Sequence, residues 1–290
     1  MNILITGVTG FVGSHVAQAL LEKGHEVTGL VRHDEEVAAL EKQGIHPAVG
    51  ELADIELLKS LALASDGVVH AAASNVPGWE ETNQQVVSTL LSTLRGTGKP
   101  VAMQGGTMVF GDTGATLLDE DTASFNPPPP MQGRVTLERR FLAAEQQDIR
   151  SLIIYGSYVY GGAGAAIPSI MKAAAQSHGY SAYVGEGHNA WASVHIQDWA
   201  SLFVLALEQP QALGPYFAAA EVHSLKEIAT MVNQATDNSS GVQSVTPEQA
   251  GELWSFFAQP LSLMNQRFSG EKAKKTLGWQ PEHSLGATTI

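Results

Sequence analysis

The chain contains no cysteine in 290 residues. That excludes disulfides, thiolate metal sites and a cysteine nucleophile together. Positive charge is scarce as well: 16 Lys and Arg stand against 29 Asp and Glu, a formal net charge of −13. So acidic a surface repels a phosphate backbone, and no nucleic-acid partner is expected. A small anionic ligand needs only a local positive site and is not excluded. No apolar run reaches the roughly 18 residues that a spanning helix needs, so no membrane partner is expected. Met1 runs straight into a strand-like pattern with no basic segment or cleavage site, and we expect no signal peptide and a cytoplasmic protein. The ten His are scattered, with no pair four residues apart, and suggest no metal site. Gly-x-Ser-x-Gly and P-loop patterns are absent too.

What is present is a globular composition, 44% apolar and 16% charged, enough to bury a sizeable core. Short apolar runs alternate with helical periodicity through the first half. Strands are expected at 2–6, 26–31, 46–49, 67–71, 101–103 and 150–155, and helices at 13–23, 55–63, 82–94 and 134–146. Such alternation gives a parallel sheet with helices on both faces. Beyond residue 156 the pattern loosens. Gly161, Gly162 and Gly164 mark a loop, followed by helical patterns at 167–176, 199–208, 224–235 and 248–257 and a strand at 193–196. The proline run 127–130 is an extended segment without donors that leads into the helix near Gly133.

The strongest motif is Thr6-Gly7-Val8-Thr9-Gly10-Phe11-Val12-Gly13, which follows a strand and opens a helix. Gly7 permits the tight turn, Gly10 lets backbone approach a pyrophosphate, and Gly13 allows close helix–strand packing, with phosphates on the helix N-terminus. We therefore expect a Rossmann-type doubly wound α/β fold. Residues 1–155 form the dinucleotide-binding domain, with 191–220 returning to it, and 156–190 and 221–290 form a smaller substrate-covering region. The second strand ends Leu30-Val31-Arg32-His33 without the acid that holds a ribose 2′-hydroxyl. A guanidinium there suits a 2′-phosphate, so NADP(H) is expected. The alternative for Arg32 is a solvated surface residue.

Further segments resemble the extended short-chain dehydrogenase/reductase family, which includes sugar-nucleotide epimerases. Gly50-Glu51-Leu52-Ala53-Asp54 is similar to its G-D-L-x-D, whose first acid contacts adenine, and Asp66 to Ala73 to its fourth strand, which passes under the cofactor. Val109-Phe110-Gly111-Asp112 resembles V-Y-G-D, Val194-His195-Ile196-Gln197-Asp198 resembles V-H-V-x-D, and Leu277-Gly278-Trp279-Gln280-Pro281 resembles L-G-W-x-P. The resemblance implies that Gly7, Thr9, Gly10, Phe11, Val12, Gly13, Arg32, Glu51, Leu52, Ala71, Ala72, Ala73 and Arg134 hold the cofactor.

The family's proton machinery is missing. It pairs hydride transfer with a proton carried by Tyr in Y-x-x-x-K, next to a Ser or Thr that holds the substrate oxygen. Here no tyrosine precedes Tyr155, none has Lys four residues on, and no lysine occurs from Val101 to Met171. Counting back from Asp148 puts Pro130 at the Tyr position and Arg134 at the Lys position, while the Ser position falls on Gly105 or Gly106. Arg134 keeps the fixed charge and hydrogen-bonding capacity of the Lys, or alternatively pairs with Glu138 one helical turn on. Thr107 is the nearest hydroxyl to the lost Ser. Tyr155, Tyr158 and Tyr160 cluster where the sixth strand meets the substrate loop, and either donate a proton or pack the loop. Catalytic candidates are thus Arg134, Thr107, Tyr155 and Tyr158. His195 is read as a hydrogen-bonded structural residue, and Asp198 as the cap of the helix after it.

Substrate-lining candidates are Asn75, Met108, Met131 and Trp191, with Val76 and Thr107. The set is mostly apolar, which argues against a nucleotide sugar. The reading is an atypical NADP(H)-dependent oxidoreductase for a small, largely apolar carbonyl or activated-alkene compound. Two alternatives stand beside it: a non-redox isomerase, epimerase or lyase, and a catalytically silent NADP(H) sensor. A homodimer is a further expectation.

Overall fold

The computed structural model describes residues 1–73, 78–238, 240–254 and 262–290. Strand β1 (Asn2–Thr6) turns into helix α1 (Phe11–Glu22), and the alternation continues through β2 (Glu26–Val31), α2 (Val37–Lys42), β3 (His46–Val49), α3 (Ile55–Ala64), β4 (Gly67–His70), α4 (Trp79–Leu94), β5 (Pro100–Gly106), α5 (Gln132–Leu142) and β6 (Arg150–Gly156). The second half contributes β7 (Tyr158–Tyr160), α6 (Ala166–His178), β8 (Ser181–Val184), β9 (Ala190–His195), α7 (Ile196–Glu208), β10 (Gly214–Ala218), β11 (Glu221–Ser224), α8 (Leu225–Ala235), β12 (Val242–Val245), α9 (Pro247–Leu253) and a last helix, Glu271–Leu277.

Seven strands form one parallel sheet in the order β10-β6-β5-β4-β1-β2-β3. The sheet is covered on both faces, which explains why its strands are continuously apolar rather than alternating. On β1, Ile3 and Ile5 enter the layer of α1 and α7, while Leu4 enters the layer of α3, α4 and α5. On β6 the same alternation sends Leu152 and Ile154 one way and Ile153 and Tyr155 the other. Strand β10 opens Gly214-Pro215 and lies at the sheet edge, where a residue without an N–H is tolerated. Helix α3 starts where Asp54 accepts the Leu57 N–H at 3.1 Å. Helix α8 starts at the Ser224–Glu227 capping box.

The Rossmann-type expectation holds, and several details differ. The strand expected at 193–196 is the end of β9. It lies outside the main sheet, between β7 (parallel) and β11 (antiparallel). Helix α7 begins at Ile196, three residues before the periodicity starts, and its N-cap is His195, whose Nδ1 accepts the Gln197 N–H at 3.3 Å. Asp198 is therefore not the cap. Its buried carboxylate instead accepts the backbone N–H groups of Glu282 and His283, each at 3.0 Å, and so fastens the C-terminal segment. Strands β7, β8, β11 and β12, at three or four residues each, are too short to show a period. Helix α9 ends at Leu253. The later part of the helix expected at 248–257 lies outside the described residues, as do Asn75 and Val76.

Candidate functional site

Because all seven strands run one way, their C-terminal ends meet along one edge. A cleft of about 600 Å³ opens there. Helix α1 points its N-terminus into it with no side-chain cap and no acidic residue in the first turn. Its first N–H groups are thus free for an anion. Gly7 has φ +76, and a Cβ on it would lie 2.6 Å from the Ala72 Cα. A Cβ on Gly13 would overlap the Gly7 carbonyl oxygen. Both positions therefore require glycine, and this shape fits a dinucleotide pyrophosphate.

Gly7, Thr9, Gly10, Phe11 and Val12 line the cleft from β1 and α1. Arg32, Glu51 and Leu52 line it from the second and third βα turns, and Ala71, Ala72 and Ala73 from the end of β4. Gly13 lies beneath, buried in the helix–strand contact. Arg32 is exposed and makes no ion pair among the described residues. Glu36 also lines this end of the cleft, with its carboxylate turned to the His33 N–H at 3.3 Å. Gln104, which the sequence reading missed, lines the cleft from β5 and donates to the Ala71 carbonyl at 3.0 Å.

A second, smaller cavity of about 150 Å³ lies further along the same edge, past the ends of β5 and β6. Thr107, Met108, Tyr158 and Trp191 line it, with Ser157, Ile167 and Gln266, and no charged residue is among its described lining. Met131 packs on the same apolar cluster without lining the cavity. Thr107 donates its hydroxyl to the Gln266 Oε1 at 2.8 Å. The Trp191 indole donates to the Met264 carbonyl at 3.1 Å. Tyr158 is buried and, among the described residues, its hydroxyl reaches only the Met171 Sδ, at 3.9 Å. Burial pushes its pKa well above the ordinary phenol value, so it stays protonated. Ser157 sits in the break between β6 and β7, inside the segment that the tyrosine cluster singles out. Gln266 is 159 residues from the Thr107 it bonds, and no motif surrounds it.

Arg134 lies beside the cleft, on α5. Its Nη2 donates to the Gln104 carbonyl at 2.6 Å and its Nε to the Glu138 carboxylate at 2.6 Å. The geometry shows the helix-spaced ion pair with Glu138; Arg134 does not itself line the cleft, and its other bond goes to the carbonyl of the cleft-lining Gln104. The Tyr155 hydroxyl donates to the other Glu138 oxygen at 2.7 Å. Tyr155 faces the α5 layer and lines neither cavity. Burial raises the Glu138 pKa, opposed by the Arg134 charge and by both hydrogen bonds. Burial likewise raises that of Tyr155.

Under the cleft, at the end of β4, His70 is fully buried between two neutral partners. Its Nδ1 lies 2.7 Å from the Thr6 hydroxyl and its Nε2 2.7 Å from the Asn83 Oδ1. Asn83 Oδ1 only accepts, so Nε2 carries the proton and Nδ1 receives the Thr6 hydroxyl. Desolvation lowers the His70 pKa to about 4, with Arg134 acting in the same direction, so the ring is neutral at pH 7. Among the described residues no group of three potential ligands holds a metal, and no helix is long and apolar enough to cross a membrane.

A family model described as NAD dependent epimerase/dehydratase family matches residues 3–218. The chain is 38% identical to an uncharacterized protein of Schizosaccharomyces pombe, over 100% of this chain and 98% of that one. It is 26% identical to UDP-glucose 4-epimerase of Corynebacterium glutamicum, over 98% and 92% of the two chains. Among solved structures, dTDP-glucose 4,6-dehydratase of Bacillus anthracis in complex with NAD matches with a TM-score of 0.76 at 19% identity, covering 98% of this chain and 92% of that one.

Proposed function

The chain belongs to the NAD dependent epimerase/dehydratase family, and from that premise we propose that it is an NADP(H)-dependent oxidoreductase acting on a small, largely apolar carbonyl or activated-alkene compound. The observation that carries this reading is the uncharged cavity of about 150 Å³ around Met108, Tyr158, Ile167 and Trp191. A nucleotide sugar brings a diphosphate that wants cations, and the cavity offers none. Bound NADPH would supply the hydride. The N-terminus of α1 holds the pyrophosphate. Arg134, kept in place by Glu138 and the Gln104 carbonyl, provides fixed positive charge beside the ribose. Thr107 gives its hydroxyl to Gln266 and therefore shapes the cavity. Tyr155, spent on Glu138, acts as a support of α5, and Tyr158 is the tyrosine that meets substrate.

The cofactor choice rests on Arg32, an exposed guanidinium that makes no ion pair among the described residues, at the adenosine end of the cleft. Charge-assisted hydrogen bonds contribute about 1.5–3 kcal/mol. Arg32→Ala is therefore expected to weaken NADPH binding roughly 10- to 100-fold in a calorimetric titration and to leave NADH affinity within about threefold. Equal NADPH affinity in variant and wild type would overturn the assignment of the 2′-phosphate to Arg32.

The reaction is tested by NADPH consumption with small aromatic and aliphatic aldehydes and ketones, and by chromatographic product analysis with UDP-glucose and dTDP-glucose. Turnover of the carbonyls and none of the nucleotide sugars is expected, and the reverse would sink the reading. A second reading, an epimerase without net redox, is favoured by the 26% identity to UDP-glucose 4-epimerase. It requires conversion of a nucleotide sugar with the cofactor unchanged at the end.

A further inference from the structure

Among the described residues, five that line the small cavity carry hydrogen-bonding side chains: Thr107, Ser157, Tyr158, Trp191 and Gln266. Three have spent them on the protein. Thr107 donates to Gln266, Trp191 donates to the Met264 carbonyl, and Gln266 receives Thr107 while donating to the Gly111 carbonyl. These bonds tie the 107–111 segment and β9 to the 264–266 segment, so they are wall rather than recognition.

Two donors remain. The Ser157 hydroxyl has no hydrogen-bond partner among the described residues. Among the described residues the Tyr158 hydroxyl has only the Met171 sulfur, a weak acceptor, at 3.9 Å. Consecutive residues of a strand point to opposite faces. Ser157 falls in the break between β6, which ends at Gly156, and β7, which starts at Tyr158. Both residues line the cavity, one in that break and one at the start of β7. Tyr158 is further fixed by its ring, 5.7 Å from that of Trp191. A buried hydroxyl aimed at a thioether has most of its hydrogen-bonding capacity unused, and an unmade bond in an apolar wall is unfavourable until a ligand makes it.

We propose that the Ser157 and Tyr158 hydroxyls together hold the carbonyl oxygen of the substrate, whose remaining body is apolar and about the size of a benzene ring with a one-carbon substituent. The inference rests on the reading of this cavity as the substrate site. The size follows from the volume, since a cavity of about 150 Å³ takes a benzene-sized molecule. Both hydroxyls donate to the same oxygen, so a molecule of the same shape without an acceptor gains nothing from them. Two donors on one oxygen also favour the form that carries more negative charge there. That makes the pair the counterpart of the hydroxyl lost from Gly105 and Gly106, approaching from β6 and β7 rather than from β5.

The test uses benzamide, a carbonyl compound that the cofactor does not reduce, and toluene, which has the ring and no acceptor. Each is titrated calorimetrically into the purified protein with NADP present, for wild type, Ser157→Ala and Tyr158→Phe. Both substitutions remove a hydroxyl with no strong protein partner, so folding and NADPH affinity are expected to be unchanged. Benzamide binding is expected to weaken roughly five- to tenfold in each variant, with toluene binding unaffected. Benzamide bound equally by all three proteins, or not bound by wild type, overturns the proposal. The reading of function fails separately. If the variants weaken benzamide as expected while no carbonyl is turned over, the hydroxyl pair stands and the redox assignment falls. If carbonyls are reduced equally by all three proteins, the redox assignment stands and the hydroxyl pair falls.

Discussion

Replacing Glu138 by Ala is expected to remove about 3–5 kcal/mol of folding stability, measured as a urea midpoint shift at unchanged slope. The Glu138 side chain is 0% exposed and has two donors, the Arg134 Nε at 2.6 Å and the Tyr155 hydroxyl at 2.7 Å. Truncation strands both. The guanidinium keeps partial access to water, its side chain being 30% exposed, and also keeps the Gln104 carbonyl, so its loss is moderate. The Tyr155 hydroxyl is in the core and has nowhere to turn, which adds about 1–3 kcal/mol. A cavity in a close-packed layer adds the rest. Glu138→Gln keeps the volume and one acceptor oxygen and is expected to lose only about 1–2 kcal/mol. The order Ala above Gln is the discriminating result. A Glu138→Ala variant within about 0.5 kcal/mol of wild type would show that the Arg134–Glu138–Tyr155 chain is an incidental contact.

That chain also marks the boundary of what the sequence discloses. The glycine triplet, the strand before it and the helix after it are local, so periodicity and spacing suffice to read them, and ten residues expected at the cofactor do line the cleft together with Arg32. Arg134 and Glu138 are likewise four residues apart on one helix. Tyr155, their third partner, comes from a different element, and the strand register alone decides that its ring faces α5 while Ile154 faces α1 and α7. A one-residue slip in that register would exchange the two. The small cavity is less legible still. Its wall depends on Gln266 meeting Thr107 across most of the chain. It depends also on β9 leaving the main sheet to pair with β7 and β11, and both are non-local pairings between short segments. Ser157 stands in a loop with no motif around it, and what distinguishes it is that its neighbours Thr107, Trp191 and Gln266 bond to the protein.

Acidification from pH 6.5 to 4 is expected to remove about 3 kcal/mol of stability through His70 alone. The folded ring has its pKa lowered to about 4 from the ordinary 6.5, a difference of about 2.5 units at 1.36 kcal/mol each. The sign follows from which state binds the proton. The unfolded chain takes it up as pH falls through about 6.5. The folded chain resists until about 4, because burial and Arg134 disfavour the charged ring. Stability from this group is therefore complete above pH 6.5, declines through the interval, and is gone below the folded value. Carboxylates also titrate near the bottom of that window, so the measurement is a comparison. Urea unfolding at pH 7, 5.5 and 4.5 is run on wild type and on His70→Asn, which is less stable at pH 7 but lacks the titrating ring. The wild-type curve is expected to fall more steeply, and parallel curves would remove His70 as the cause. The effect extends to the cofactor cleft. His70 ends β4, Ala71 follows it, and Gln104 bonds the Ala71 carbonyl. A proton on His70 also loses the Thr6 hydroxyl as a donor, since a doubly protonated ring cannot accept it. NADPH affinity is accordingly expected to decline over the same pH interval in wild type and to decline less in His70→Asn. The nucleotide's own phosphate titration is common to both proteins and cancels in the comparison.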